Sequence, residues 1–191
     1  MKVIAFNGSA RKNGNTAILL STALAELERD GIQTELVQLA GLTLAGCDAC
    51  FTCRDRKDRR CVIETDPVNE YIEKVLAADG ILLGSPVYFG DITTNMKALM
   101  ERVGLVVRVN GDLLKRKVGA GVVAVRRGGA MHTLNSLNHF FTIGQMILVG
   151  SSYWNIGIGR EAGQVEKDDE GMQTMHTLGQ NMAWVLKKLH A

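Results

Sequence analysis

Proline is nearly absent from this sequence, at two residues in 191, and apolar content is ordinary at 46% against 22% charged. Both facts argue against Pro-rich linkers and against the polar, charge-rich tracts that stay disordered, so order is expected nearly end to end. An excess of charge of one sign is missing too. With 22 basic and 20 acidic side chains and a formal net charge of +2, the chain has no electrostatic footprint for nucleic acid. Long hydrophobic runs are also lacking: the longest strongly apolar stretches, such as 119–125, fall far short of the roughly 18 to 20 residues that span a membrane. No membrane association is expected.

The opening stretch MKVIAF has one charge and an apolar run too short for a signal peptide, and it leads into a glycine loop. Without an export signal, a cytoplasmic location is expected. In that reducing setting four close-set cysteines point to metal or redox chemistry more than to structural disulfides. At this length one domain over 1–191 is expected.

Short apolar runs alternate with helical stripes along the chain. Residues 3–6 read as a buried strand, and Leu20, Ala23, Leu24 and Leu27 have helical spacing up to Gly31. Strands follow at 34–39, 80–84, 118–125 and 146–149. Helices are marked by Val68, Ile72, Val75 and Leu76 beside Pro67, by Ile92, Met96, Leu99 and Val103, by 133–141, and by the stripe from Met172 to Leu189. Five strands alternating with helices predict an α/β fold with a mostly parallel sheet covered on both faces. Such sheets bind ligands beyond the carboxyl ends of their strands, where the strand order reverses.

Three loops therefore matter. The first, 8–16 (GSARKNGNT), sets small residues, hydroxyls and an arginine at a helix N-terminus. Free backbone N–H groups and the helix dipole suit a bound phosphate there, with Ser9, Thr16 and Arg11 completing its shell. Neither the dinucleotide G-x-G-x-x-G nor a Gly-Lys-Ser/Thr loop is present, so a single terminal phosphate fits better. A plain βα turn capped by Asn15 explains the same residues. The loop after the third strand carries Pro86, Val87, Tyr88 and Phe89. A flat ring could lie against it, hydrogen-bonded by backbone amides of residues 87–89, or the aromatics could simply be packing residues. After the fourth strand, Arg126, Arg127, Gly128 and Gly129 could bring bare backbone and positive charge to the same ligand. His132 reads either as a proton donor or as an exposed residue of the next helix.

These motifs resemble the NAD(P)H-dependent FMN reductase group of the flavodoxin-like superfamily. Gly-Ser-Ala-Arg at 8–11 with Asn15 and Thr16 resembles its FMN-phosphate loop. Ser85-Pro86-Val87-Tyr88 resembles its isoalloxazine loop, and residues 95–102 resemble the helix that follows. The resemblance implies FMN, a flavodoxin-like doubly wound five-stranded sheet of order 2-1-3-4-5, and a homodimer or homotetramer. The apolar stretch 105–109, flanked by Arg102 and Arg108, is the candidate subunit contact or else a buried helix end.

All four cysteines fall in one insert at about 46–62: Cys47, Cys50, Cys53 and, after seven intervening residues, Cys61. Three thiolates two residues apart with a fourth from a loop resemble ferredoxin ligand runs, although Val62 replaces the usual following proline. Zinc prefers two separated Cys-x2-Cys knuckles. Unmetallated thiols or labile disulfides are the further alternative. The same pattern resembles the compact motif of the iron-sulfur flavoproteins, which implies a [4Fe–4S] cluster beside FMN. Five basic and two acidic residues at 54–60 form either a solvated loop or a landing surface for an acidic electron carrier such as ferredoxin.

The expected function is thus an FMN-dependent oxidoreductase that passes electrons between FMN and a cysteine-ligated cluster. The alternatives are a cluster-free reductase using NADH or NADPH, acting on quinones, azo compounds or free flavin as small-molecule acceptors, and a flavin electron carrier or redox sensor that turns over no small substrate.

Overall fold

A computed structural model describes all residues, 1–191. In order, the elements are β1 (Lys2–Asn7), α1 (Asn15–Arg29), β2 (Gln33–Gln38), α2 (Thr52–Arg56), α3 (Val68–Ala77), β3 (Gly80–Pro86), α4 (Thr94–Val109), β4 (Val118–Val125), α5 (Ala130–Ile143), β5 (Ile147–Leu148), β6 (Ile156–Ile158) and α6 (Asp169–Leu189). A 3-10 turn at Gln164–Lys167 precedes α6. Every strand pair is parallel, and the order is β2-β1-β3-β4-β5, as the family resemblance implied.

The central strands are buried on both faces, and successive side chains enter opposite cores. Ile4, Phe6, Ile81, Leu83 and Val123 pack with α3, α4 and α5, while Val3, Ala5, Leu82 and Val122 pack with α1 and α6. Met175, Leu178 and Met182 of α6 are fully buried, each contributing about 1.5–3 kcal/mol by leaving water. Gly119 and Gly121 of β4 make room for α5: a Cβ on Gly119 would stand 2.5 Å from the Phe141 ring. That packing needs glycine because the ring lies against the strand backbone.

One expectation needs correction, and one open alternative narrows. The outer position beyond β4 is not one strand over 146–149 but two short pieces, β5 against Val118–Gly119 and β6 against residues 123–125. Asn155 bridges the break, donating to the Gly121 carbonyl at 3.0 Å and accepting from Val123 N–H at 2.9 Å. A three-residue strand following an Asn-patched gap has too little periodicity to be seen in sequence. The stretch 105–109 is the last turn of α4, with Val106 and Val107 buried in the core, so for these two the buried helix end is the correct reading. Arg102, expected beside that stretch, is itself buried.

Candidate functional site

The carboxyl ends of β1, β3 and β4 open on one edge of the sheet, where a cleft of about 230 Å³ is lined by Ser9, Arg11, Asn15, Thr16, Pro86, Val87 and Tyr88 among others. Its first wall is the 8–16 loop. Asn7 Oδ1 accepts the Ser9 N–H at 3.0 Å, Ser9 Oγ accepts the Arg11 N–H at 3.1 Å, and Gly8 N–H continues the ladder to the Gly84 carbonyl at 2.8 Å. Helix α1 starts without a side-chain cap and has no acidic residue in its first turn; its first backbone bond is from Ile18 N–H to the Gly14 carbonyl. The positive helix end therefore faces the cleft with its N–H groups free.

Thr16 Oγ1 is the single buried side-chain polar atom without a hydrogen-bond partner. An unmade bond of that kind costs about 1–3 kcal/mol, and buried polar groups are otherwise satisfied. An anion on the helix end would satisfy it. The residues present fit the phosphate of FMN. Asn15 does not cap the helix, as the plain-turn alternative required: its Oδ1 accepts the Val165 N–H at 3.3 Å and ties the loop to the 3-10 turn.

The second wall differs in detail from the sequence reading. Val87 N–H donates to the Ala124 carbonyl at 3.1 Å and Tyr88 N–H to the Asp91 carbonyl at 2.8 Å, which leaves only Phe89 N–H of the three amides assigned to a ring edge. Residues 88–91 form a tight turn, with φ of 49° at Phe89 and 84° at Gly90, which turns the Phe89 side chain fully into solvent. Phe89, Gly128 and Gly129 do not line the cleft, whereas Ala124, Arg126, Gly159 and Arg160 do. Gly129 has φ of 89°, and a Cβ there would lie 2.8 Å from Val87 Cγ1. It holds the third and fourth loops flush, a part that glycine alone can take. Arg160 lay outside the sequence reading because 149 residues separate it from Arg11, whose guanidinium donates to its carbonyl at 3.2 Å. His132 is exposed in the first turn of α5, 3.5 Å from Asp91.

The cysteines gather elsewhere. Cys47, Cys50, Cys53 and Cys61 are free thiols and all line one small cavity, closed by Phe51, Arg102, Leu105, Val106 and neighbouring residues. The seven-residue spacer before Cys61 is thus no bar to convergence. Part of the segment, Thr52–Arg56, is the short helix α2, for which the sequence reading assigned no element. Burial pushes the Cys53 thiol up, while the hydroxyl and backbone N–H of Thr52 lower that of the exposed Cys50. No three His, Cys, Asp or Glu side chains are gathered around a point as one metal ion requires. Four thiols on one cavity are the donor type that a cysteine-ligated cluster takes, and they are the residues that would hold one.

Helix α4 spans both sites. The Thr93 hydroxyl at its N-cap donates to the Gly8 carbonyl at 2.8 Å. Asn95 binds the Leu39 and Leu42 carbonyls at 3.0 and 2.9 Å. Glu101 accepts the Cys47 N–H, and Arg102 Nε donates to Cys61 Sγ, both at 3.4 Å. Nine residues of helix separate Thr93 from Arg102, about 14 Å of rigid spacer. The basic stretch 54–60 is largely neutralised: Arg54 pairs with Asp55, Arg56 with Asp58 and Arg60 with Glu73, which reduces the charge offered to an acidic partner.

No helix is long and apolar enough to cross a membrane. The chain matches the NADPH-dependent FMN reductase family over residues 1–161. It is 40% identical over 194 residues to an iron-sulfur flavoprotein of Methanocaldococcus jannaschii, covering 98% of each chain. It is 36% identical over 189 residues to an iron-sulfur flavoprotein of Methanosarcina thermophila, covering 98% of this chain and 96% of that one. Among solved structures, a flavodoxin from the domain Archaea has a TM-score of 0.64 at 14% identity over 98% of this chain and 99% of that one, a likeness of fold. With a flavodoxin-like sheet and these matches, the chain belongs to the NADPH-dependent FMN reductase family, in its iron-sulfur flavoprotein branch, and is a flavin-dependent oxidoreductase.

Proposed function

We propose that the cleft beyond β1, β3 and β4 binds FMN by its phosphate on the 8–16 loop, that Cys47, Cys50, Cys53 and Cys61 hold a [4Fe–4S] cluster, and that electrons pass between the two. The observation that carries this reading is the convergence of all four cysteines on one cavity braced by the same helix, α4, whose cap holds the phosphate loop. Ser9, Thr16 and Arg11 hold the phosphate, and Pro86 and Tyr88 flank the ring. Arg126 supplies positive charge at the cleft. Bound FMN would exchange electron pairs and the cluster single electrons, so that together they convert one into the other. The chain's own work is placement: backbone and hydroxyl donors fix the phosphate, and α4 sets the spacing of the two sites. Exposed Tyr88, Phe89, Met131, Tyr153 and Trp154 support association of copies as a homodimer or homotetramer, which sedimentation would measure.

Protein purified without oxygen should show flavin bands, a broad shoulder beyond them and about four irons per chain. Flavin bands without iron would overturn the cluster. That outcome would favour the second reading, a cluster-free reductase using NADPH or NADH, for which the lack of any three ligands gathered around a point speaks. Rapid-mixing bleaching of the flavin by each nucleotide identifies the electron donor in either case.

A further inference from the structure

Arg102 is 1% exposed, the largest of the fully buried side chains, and its guanidinium forms part of the cysteine cavity wall. Nε donates to Cys61 Sγ at 3.4 Å, Nη1 to Asp66 and to the Ala45 carbonyl at 3.4 Å, and Nη2 to the Ile63 carbonyl at 2.8 Å. Asp66 in turn accepts the Ala45 N–H at 3.1 Å and the Val68 N–H at 3.2 Å. One guanidinium therefore clamps both ends of the cysteine segment. Stability is a poor reason for such a pair, since each buried ion costs several kcal/mol of desolvation and apolar replacements are often as stable. The contact with Cys61 gives a better reason. An N–H aimed at sulfur favours thiolate over thiol, and a fixed positive charge favours the more negative state of whatever the thiolates hold.

We propose that Arg102 is the positioning residue of the cysteine-ligated group: its Nε–H holds Cys61 Sγ as the fourth ligand, and its charge raises the group's reduction potential. This rests on the cluster reading above. Reduction adds one electron, supplied by reduced FMN, and makes or breaks no bond at Arg102, which stays protonated in both states.

The test compares anaerobically purified wild type, Arg102→Lys, and the double variant Arg102→Met with Asp66→Asn, which removes both buried charges together. FMN per chain, iron per chain and the cluster midpoint potential are measured for each. The double variant should keep its FMN and lose iron, and any cluster left in it should be reduced at a more negative potential; the lysine variant, which returns the charge, should lie closer to wild type in both readouts. Full iron at an unchanged or more positive potential in the double variant overturns the proposal. So does loss of FMN together with iron in both variants, which would make the pair a structural strut, and so does a lysine variant no closer to wild type than the double. Wild type without iron would instead sink the cluster reading itself, before any variant is compared.

Discussion

The phosphate loop and the cysteine segment each present ligand groups to a cavity and each takes distant hydrogen bonds, yet only one of them has a strained backbone. No residue from 8 to 16 has a positive φ; local bonds from Ser9 N–H to Asn7 Oδ1 and from Arg11 N–H to Ser9 Oγ shape the turn, and distant bonds at Gly8, Arg11 and Asn15 add to a backbone that is already relaxed. A strand entering a core helix leaves it little other course. The cysteine segment, by contrast, contains Ala49, Phe51, Lys57 and Arg59, half of the eight non-glycine residues with positive φ. Each such residue costs about 1–2 kcal/mol. What offsets this comes from distant elements: Arg102 and Asn69 on Cys61, Asn110 on the Cys53 carbonyl, and Glu101 on the Cys47 N–H. One site keeps a relaxed backbone between a strand and a helix. The other is shaped by tertiary hydrogen bonds and, when filled, by its own contents.

The largest way to break that contrast is Arg102→Ala, which leaves the Asp66 carboxylate buried and unpaired. It should lower stability by about 3–5 kcal/mol while FMN affinity, measured below the melting transition, stays at the wild-type value. An equal loss of FMN affinity would show that the two sites are not separately held. Thr16→Val probes the other side with two readouts of opposite sign. FMN affinity should fall by about 1.5–3 kcal/mol, the worth of a hydrogen bond to a charged group, or roughly 10- to 150-fold. The FMN-free protein should melt no lower than wild type, because the change deletes a hydroxyl that has no partner there. A lower melting temperature would mean that Thr16 serves the fold and not the ligand.

The same contrast explains what could be read from sequence. Ser9, Arg11, Asn15 and Thr16 are consecutive with a strand and a helix of strong periodicity, so their placement follows from local order. Cys47 to Cys61 are legible as a ligand set by residue type. Their support is not: Asp66, Asn69 and Arg102 carry no periodic signal, and Arg102 looks like one more surface charge on an amphipathic helix. Its burial depends on Asp66, 36 residues away. The bonds of the Val87 and Tyr88 amides are hidden from the sequence for a related reason, since their acceptors at Ala124 and Asp91 belong to a neighbouring strand and a left-handed turn.

Asn69→Ala sharpens the contrast at lower cost. Its side chain accepts the Cys61 N–H at 2.8 Å and donates to the Cys61 and Ile63 carbonyls at 3.0 and 3.3 Å. Losing it strands those backbone groups, so stability should drop by about 2 kcal/mol, and iron per chain should fall at unchanged FMN. Retention of full iron would show that Arg102 alone suffices to hold Cys61.

The smallest expected effect comes from the far end of α1. Glu26 is buried in the last turns of the helix, where His176 Nδ1 lies 2.8 Å from one carboxylate oxygen and Gln180 donates to the other at 3.1 Å. Those hydrogen bonds from α6, His176 first and Gln180 second, hold its carboxyl below the ordinary value of 4.5. A carboxyl whose folded value is depressed adds stability that is fully present above its unfolded value and is lost as pH falls through the folded one. Glu26→Gln offers one acceptor oxygen in place of two. It should therefore melt below wild type at neutral pH by about 1 kcal/mol, and the gap should close as pH drops below 4.5. FMN affinity at neutral pH should not change, because Glu26 lies at the far end of α1 and its hydrogen-bond partners are His176, Gln180 and Arg29, none of them in the phosphate loop. If affinity fell with Glu26→Gln, the loop's geometry would depend on how α1 docks against α6, and the phosphate site would share the cysteine segment's sensitivity to distant packing.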